Sequence, residues 1–232
     1  NYGSIGILGA DNYVFGNALV NGLATSTIGN DNLTWEKSRQ TDIGLELGLW
    51  KNRIFFTADY YSRITTDLLL SVQVPTLTGF STASRNIGKV ENKGMEFGLV
   101  TRNTIGNLKW TTDLNVSFNR NKVLALGPTG DAIRSGTGVG ETNITVIGKP
   151  LGNFYGYQQL GVFKDQADLD SYPHDATARP GDVKFADINN DGKINADDRT
   201  IIGNNQPDFI YGMTNTLSFK GFDLGITVQG IQ

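Results

Sequence analysis

The stretch "TDIGLELGLW", residues 41–50, alternates one side chain at a time. Ile43, Leu45, Leu47 and Leu49 fall on one face, with Asp42, Gly44, Glu46 and Gly48 on the other. Successive side chains of an extended chain point to opposite sides, so a period of two describes a β-strand with one greasy and one wet face. The signature recurs in "WTTDLNVSFN" (110–119), where Trp110, Leu114, Val116 and Phe118 oppose Thr111, Asp113, Asn115, Ser117 and Asn119. "FDLGITVQG" (222–230) sets Phe222, Leu224, Ile226 and Val228 against Asp223, Gly225, Thr227 and Gln229. "GMEFGLVT" (94–101) and "FIYGMTNTLSF" (209–219) carry it less cleanly. No segment of comparable length has a helical period. The chain reads as all-β, with six clear strands.

The connections between these strands also alternate. Trp50–Arg53, "NTIGNLK" (103–109) and Phe219–Phe222 are short turns, whereas residues 67–88 and 121–208 are long excursions. Short turns at one end and long loops at the other are the mark of an outer-membrane β-barrel. Soluble sandwiches alternate too, but a structureless loop of such length is unusual in a compact domain. Trp50, Trp110, Phe219 and Phe222 all lie beside short turns in the apolar phase, where a membrane boundary would gather amphipathic rings. Leu45, Leu47, Val116 and Leu224 are then expected to face lipid, and Glu46, Asn115 and Gln229 the lumen.

Composition narrows the alternatives. Twenty basic against 23 acidic side chains leave no basic surface for nucleic acid. The absence of cysteine excludes disulfides and thiolate chemistry, and the single histidine, His174, excludes a histidine-rich metal centre. Glycine, at 29 of 232 residues, is well above its usual share near 7%. No run of 18 apolar residues marks a membrane helix. The amino-terminal residues lack the pattern of a signal peptide. Both ends read as cuts through a longer protein, so residues 1–232 are expected to be one partial barrel domain.

The segment "DINNDGKINADD" (187–198) fits a twelve-position calcium loop. Asp187, Asn189 and Asp191 take positions one, three and five, and Gly192 makes the turn at six. Lys193 would offer its carbonyl at seven, and Asp198 closes the loop in place of the usual glutamate. An Asx-rich turn, whose short side chains bond nearby amides, is the ion-free alternative to the favoured calcium loop. Residues 161–198 hold nine aspartates against four basic side chains, a self-repulsion that an ion would relieve. The glycine-rich "GTGVG" (136–140) lacks the lysine and helix of a phosphate loop, and His174 lies in "SYPHDATARP", a loop composition. No arrangement of nucleophile, acid and base emerges, so the chain does not read as an enzyme.

Several longer stretches carry a resemblance. "NDNLTWEKSRQTDIGLEL", "NRIFFTADYYSRITTDLLL", "TGFSTASRNIGKVENKGMEFGL", "PLGNFYGYQQLGVF" and the run from "PGDVKFADINNDGKINADDRTIIG" to "FDLGITVQG" closely resemble SusC-like (SusC/RagA) TonB-dependent transporters of Gram-negative outer membranes. The resemblance covers residue 30 onward. It implies an antiparallel transmembrane β-barrel fragment near the carboxyl end of a 22-strand barrel, with the 187–198 loop outside the cell. It further implies import of glycans, peptides or other large nutrients, a SusD-like surface lipoprotein as partner, and energy delivered through a TonB-contacting plug elsewhere in the protein. Phe80, Phe154, Tyr155 and Tyr157 are the loop aromatics expected to touch lipoprotein or nutrient. The rival reading is a secreted, calcium-stapled β-sandwich adhesin or glycan-binding module.

Overall fold

The computed structural model describes residues 4–127, 129–137 and 140–232 and divides the chain into two compact units. One runs to Asp131 and resumes from Pro207 to Gln232; the other is Ala132–Gln206. Residues 1–3 and residues 138 and 139 of the glycine-rich stretch lie outside the described residues. Neither the signal-peptide reading nor the phosphate-loop reading therefore meets a structural observation.

The first unit is built on six antiparallel strands: β3 (Lys37–Leu49), β4 (Ile54–Gln73), β5 (Thr82–Ile105), β6 (Leu108–Leu126), β13 (Ile210–Phe219) and β14 (Phe222–Ile231). They meander in the spatial order β14-β13-β6-β5-β4-β3. Five of them contain the segments whose alternation marked them, and β4 carries "IFFTADYYSRIT" from the stretch quoted for the resemblance. Register joins that alternation into rows across the sheet. Glu46, Thr57, Gly98, Asn115, Gly212 and Gln229 are successive cross-strand partners, so the expected lumen residues share one polar row. One residue along, Leu47, Phe56, Leu99, Leu114, Met213 and Val228 form an apolar row on the other face. The residues expected on each face share it.

That apolar face is bare. Ile43, Leu45, Leu47, Leu224, Ile226 and Val228 remain 41–65% exposed, where a β-sandwich would have buried them against a second sheet. On β6 the outward phase stays largely apolar from Leu108 to Phe118. That distance is roughly 33 Å of strand, and at the usual tilt of about 40° it gives a band about 25 Å tall, the height of a membrane-spanning barrel surface.

The three short turns are where the sequence placed them. Lys220 and Gly221 both take positive φ (47° and 88°), the geometry whose twist suits a two-residue hairpin. Trp50, Lys51 and Asn52 are all left-handed as well, which non-glycine residues seldom adopt. Arg102 of the adjoining strand donates to the Asn52 carbonyl at 3.1 Å and pins that turn. Trp110 keeps its indole N–H on the Asn215 side chain at 3.0 Å, a polar tip on an apolar ring.

Two expectations are corrected. The connection placed at 67–88 shrinks to residues 74–81, because β4 and β5 continue well past the alternating region. Along this extension the inner phase is no longer purely polar. Val90 of β5 pairs with Val123 of β6 just before it, and both are buried, as is Ala83 within it, so the two-solvent pattern that reveals a strand has lapsed. A further hairpin, β1 (Leu8–Phe15) and β2 (Ala18–Thr25), turns at Gly16–Asn17. Its apolar residues divide between the faces, Val14 and Leu19 on one, Tyr13 and Val20 on the other, which leaves no alternation to read.

The second unit replaces most of the loop expected at 121–208. Its strands β7 (Ile133–Thr137), β8 (Gly140–Thr145), β9 (Asn153–Tyr157) and β12 (Arg199–Gly203) form a sheet in the order β12-β9-β8-β7. β10 (Gln159–Val162) pairs with β11 (Val183–Phe185), and a single-turn helix α1 (Gln166–Asp170) lies between them in sequence. Asp165 caps that helix by accepting from the Asp168 amide at 2.9 Å. Ile144, Phe163 and Leu169 are its buried hydrophobic residues.

Candidate functional site

The polar face of the six-stranded sheet carries an open cleft of about 780 Å³, with Gln40, Asp42, Asp59, Arg63 and Glu96 among its walls. Asp59 and Glu96 are direct cross-strand partners, and like charges so placed destabilise a sheet unless water or a counter-charge separates them. This face is built to stay wet. Tyr61 lies across it: the ring covers Gly94, where an added Cβ would stand 2.8 Å from ring carbons, and its hydroxyl donates to Asn119 at 2.9 Å. Glycine here makes room for an aromatic that bridges three strands.

The second unit holds the acidic loop, whose oxygens are already engaged by the backbone. The Asp187 carboxylate accepts from the amides of Gly192 (2.9 Å) and Asp191 (3.2 Å). Asn189 accepts from the Asp191 amide at 3.0 Å, and Asp191 from the Lys193 amide at 2.9 Å. Gly192 takes φ +79°, closing the turn. Asp198 is fully buried and accepts from the amides of Asn195 (2.8 Å) and Ile188 (2.9 Å), the first within a capping box at Asn195. The Asn195 amide chiefly holds its carboxyl below the ordinary value, against the cost of burial, with the Ile188 amide adding to the effect. Among the described residues, no three acidic or histidine side chains converge as metal ligands.

Nearby, Lys184 bonds Asp168 at 2.8 Å and sits over the rings of Tyr172 (4.3 Å) and Phe163 (5.4 Å). His174 is exposed, its Nδ1 2.8 Å from the Tyr172 carbonyl oxygen and its ring edge-on to Phe163. The loop aromatics separate by environment. Phe154 is 45% exposed, whereas Tyr155 has the guanidinium groups of Arg199 and Arg134 over its ring at 4.5 and 5.5 Å. Tyr157 packs on Phe185, and Phe80 is half-buried in the 74–81 connection. Neither the arginine clamp nor the Lys184 cluster was legible in the sequence, since their members are far apart along the chain.

Residues 2–210 match the family model described as "TonB dependent receptor-like, beta-barrel". The chain belongs to this family. It is a family of receptors, not of enzymes. TonB-dependent receptor P3 of Formosa agariphila is 38% identical over 227 residues, 93% of this chain and 22% of that protein. TonB-dependent receptor SusC of Bacteroides thetaiotaomicron is 30% identical over 210 residues, 86% of this chain and 20% of that protein. Among solved structures, the RagAB peptide importer in its open-open state superposes with a TM-score of 0.77 at 25% identity, covering 100% of this chain and 24% of that one. The closed-closed state gives 0.75 at 26%, with the same coverage. The chain thus spans between a fifth and a quarter of these relatives. Its sheet is part of a TonB-dependent receptor barrel that does not close within this segment.

Proposed function

We propose that this chain supplies part of the wall and outer loops of a Gram-negative outer-membrane transporter. That transporter imports glycans, peptides or other large nutrients together with a SusD-like lipoprotein, using energy delivered through TonB to a plug outside this segment. One observation carries the reading: a single sheet whose two faces suit two solvents, one row-ordered and apolar, the other lined with paired carboxylates and a wide cleft. The names of its relatives, SusC and the RagAB peptide importer, support nutrient import. The short turns then face the periplasm, and the 74–81 connection and the Ala132–Gln206 unit face outward, where lipoprotein and nutrient arrive.

Phe154 is the contact residue this reading favours, because its ring is offered to solvent while Tyr155 is held by arginines. In the full-length protein, Phe154→Ala should weaken lipoprotein co-purification and growth on the cognate nutrient while barrel insertion stays normal. Tyr155→Ala should instead loosen the insertion. Unchanged docking and growth for Phe154→Ala would reduce that ring to packing. Calcium is proposed as an occupant of the 187–198 loop.

A further inference from the structure

We propose that the outer surface of the sheet carries a seat for the phosphate of a phosphorylated outer-leaflet lipid, built by Lys93, Arg120 and Lys122. The inference rests on the outer-membrane reading above and adds the headgroup chemistry. Register locates the seat. Ile43, Tyr60, Met95 and Phe118 are successive partners and form the last apolar row. The next outward-facing row is Thr41, Ser62, Lys93 and Arg120, and the one beyond is Arg39, Ile64, Glu91 and Lys122. Hydrophobic surface therefore gives way within one step to hydroxyls and cations, on the side that faces lipid.

The sorting between faces is what demands a ligand. In "NRNK" (119–122) both asparagines point inward and both cations outward, and in "ENKG" (91–94) Asn92 points inward and Lys93 outward. Inside, Asn121 donates to Asn92 at 2.8 Å, and Arg63 is the single cation of the row Gln40, Arg63, Asn92 and Asn121. Nutrient would pass along the inner face, so cations meant for it would lie there. Lys93 and Arg120 are direct partners on the interior strands β5 and β6, so a missing neighbour does not explain their exposure (51% and 57%). Two cations so opposed repel unless an anion joins them.

The carboxylates at hand do not balance the patch. Glu91 reaches Lys93 at 3.4 Å and Asp208 reaches Arg120 at 3.1 Å, while among the described residues Lys122 and Arg39 form no ion pair. Strand spacing and rise set the three cations about 5–8 Å apart, within reach of one phosphate. The Thr41 and Ser62 hydroxyls lie in the same row for neighbouring sugar oxygens.

The test uses the intact transporter in lipid nanodiscs containing lipid A or dephosphorylated lipid A, with bound lipid counted by native mass spectrometry. Wild type should retain the phosphorylated form preferentially. A triple variant, Lys93→Gln, Arg120→Gln and Lys122→Gln, should lose that preference, by roughly fivefold per cation removed. Arg63→Gln, on the inner face, should keep it. Should the triple variant fail to assemble, Lys122→Gln alone carries the test, since it breaks no ion pair. Equal retention of both lipids by wild type, or an undiminished preference in the triple variant, would overturn the proposal. Millimolar inorganic phosphate that displaces the lipid preference would point to free phosphate and overturn it as well. Failure of the membrane reading itself would show separately, as a protein that neither requires detergent nor runs as a heat-modifiable barrel.

Discussion

The six-stranded sheet and the Ala132–Gln206 insertion solve the problem of unpaired polar groups in opposite ways. In the sheet the backbone satisfies itself strand to strand, leaving side chains free to be apolar on one face and polar on the other. In the insertion the strands are short, and aspartate and asparagine side chains take up the amides that no ladder reaches. Charge follows the same division. Residues 132–206 hold ten acidic against seven basic side chains, and the rest of the chain thirteen of each. The difference teaches that one polypeptide is written for two solvents, and that its acidity belongs to the part meant for water.

The sharpest way to break this comparison is to put a charge on the lipid face. Leu47→Arg should cost about 2–4 kcal/mol in the assembled barrel, measured by equilibrium unfolding of the full-length protein in lipid. Asn115→Arg, on the polar row, should be close to neutral. Equal penalties would mean that the two faces do not meet different solvents.

Next in size is the buried acid of the insertion. Asp198→Ala leaves the Ile188 and Asn195 amides without their acceptor. Protease cleavage within residues 182–203 should quicken roughly tenfold, the scale of an unsatisfied buried donor. The barrel's heat-modifiable mobility should not change; a joint collapse would show that the insertion and sheet fold as one cooperative unit.

Acid should reach the insertion in a more graded way. Hydrogen bonds from the Asn195 and Ile188 amides hold the Asp198 carboxyl below its ordinary value of 3.8, and Lys184, then the Lys164 amide, do so for Asp168. A carboxyl lowered on folding contributes stability that is fully present above its unfolded value and lost as pH falls through the folded one. Proteolysis of the insertion should therefore be flat above pH 3.8 and rise below it. A rise that starts near neutrality would assign the sensitivity to other groups.

Calcium should have the smallest effect. With Asp187, Asn189 and Asp191 already bonded to amides, chelator should quicken loop proteolysis only slightly. A calorimetric calcium signal that disappears in Asp187→Ala would establish the caged ion, and its absence the ion-free Asx turn.

Much of this was legible in residue order because a strand between lipid and water must alternate, and alternation survives in one dimension. Leu45, Leu47, Val116 and Leu224 on one side, and Glu46, Asn115 and Gln229 on the other, follow from parity alone once the strands are recognised. The same logic explains what was not legible. β1 and β2 place apolar residues on both faces, and the outer halves of β5 and β6 lose the contrast where Val90 and Val123 turn inward and are buried. Without two solvents there is no period to detect.

By itself, then, the sequence determined the strand class, the phase of each face, the three tight turns and the family likeness, because each rests on contacts or patterns local to the chain. The tertiary structure decided what depends on distant partners. It placed Tyr155 beneath Arg134 and Arg199, closed the acidic loop on its own amides through Asp198, and aligned Lys93 with Arg120 across two strands. Cross-strand register creates such neighbours, and register is fixed only when whole strands pair: a shift by one residue would send every side chain to the opposite face.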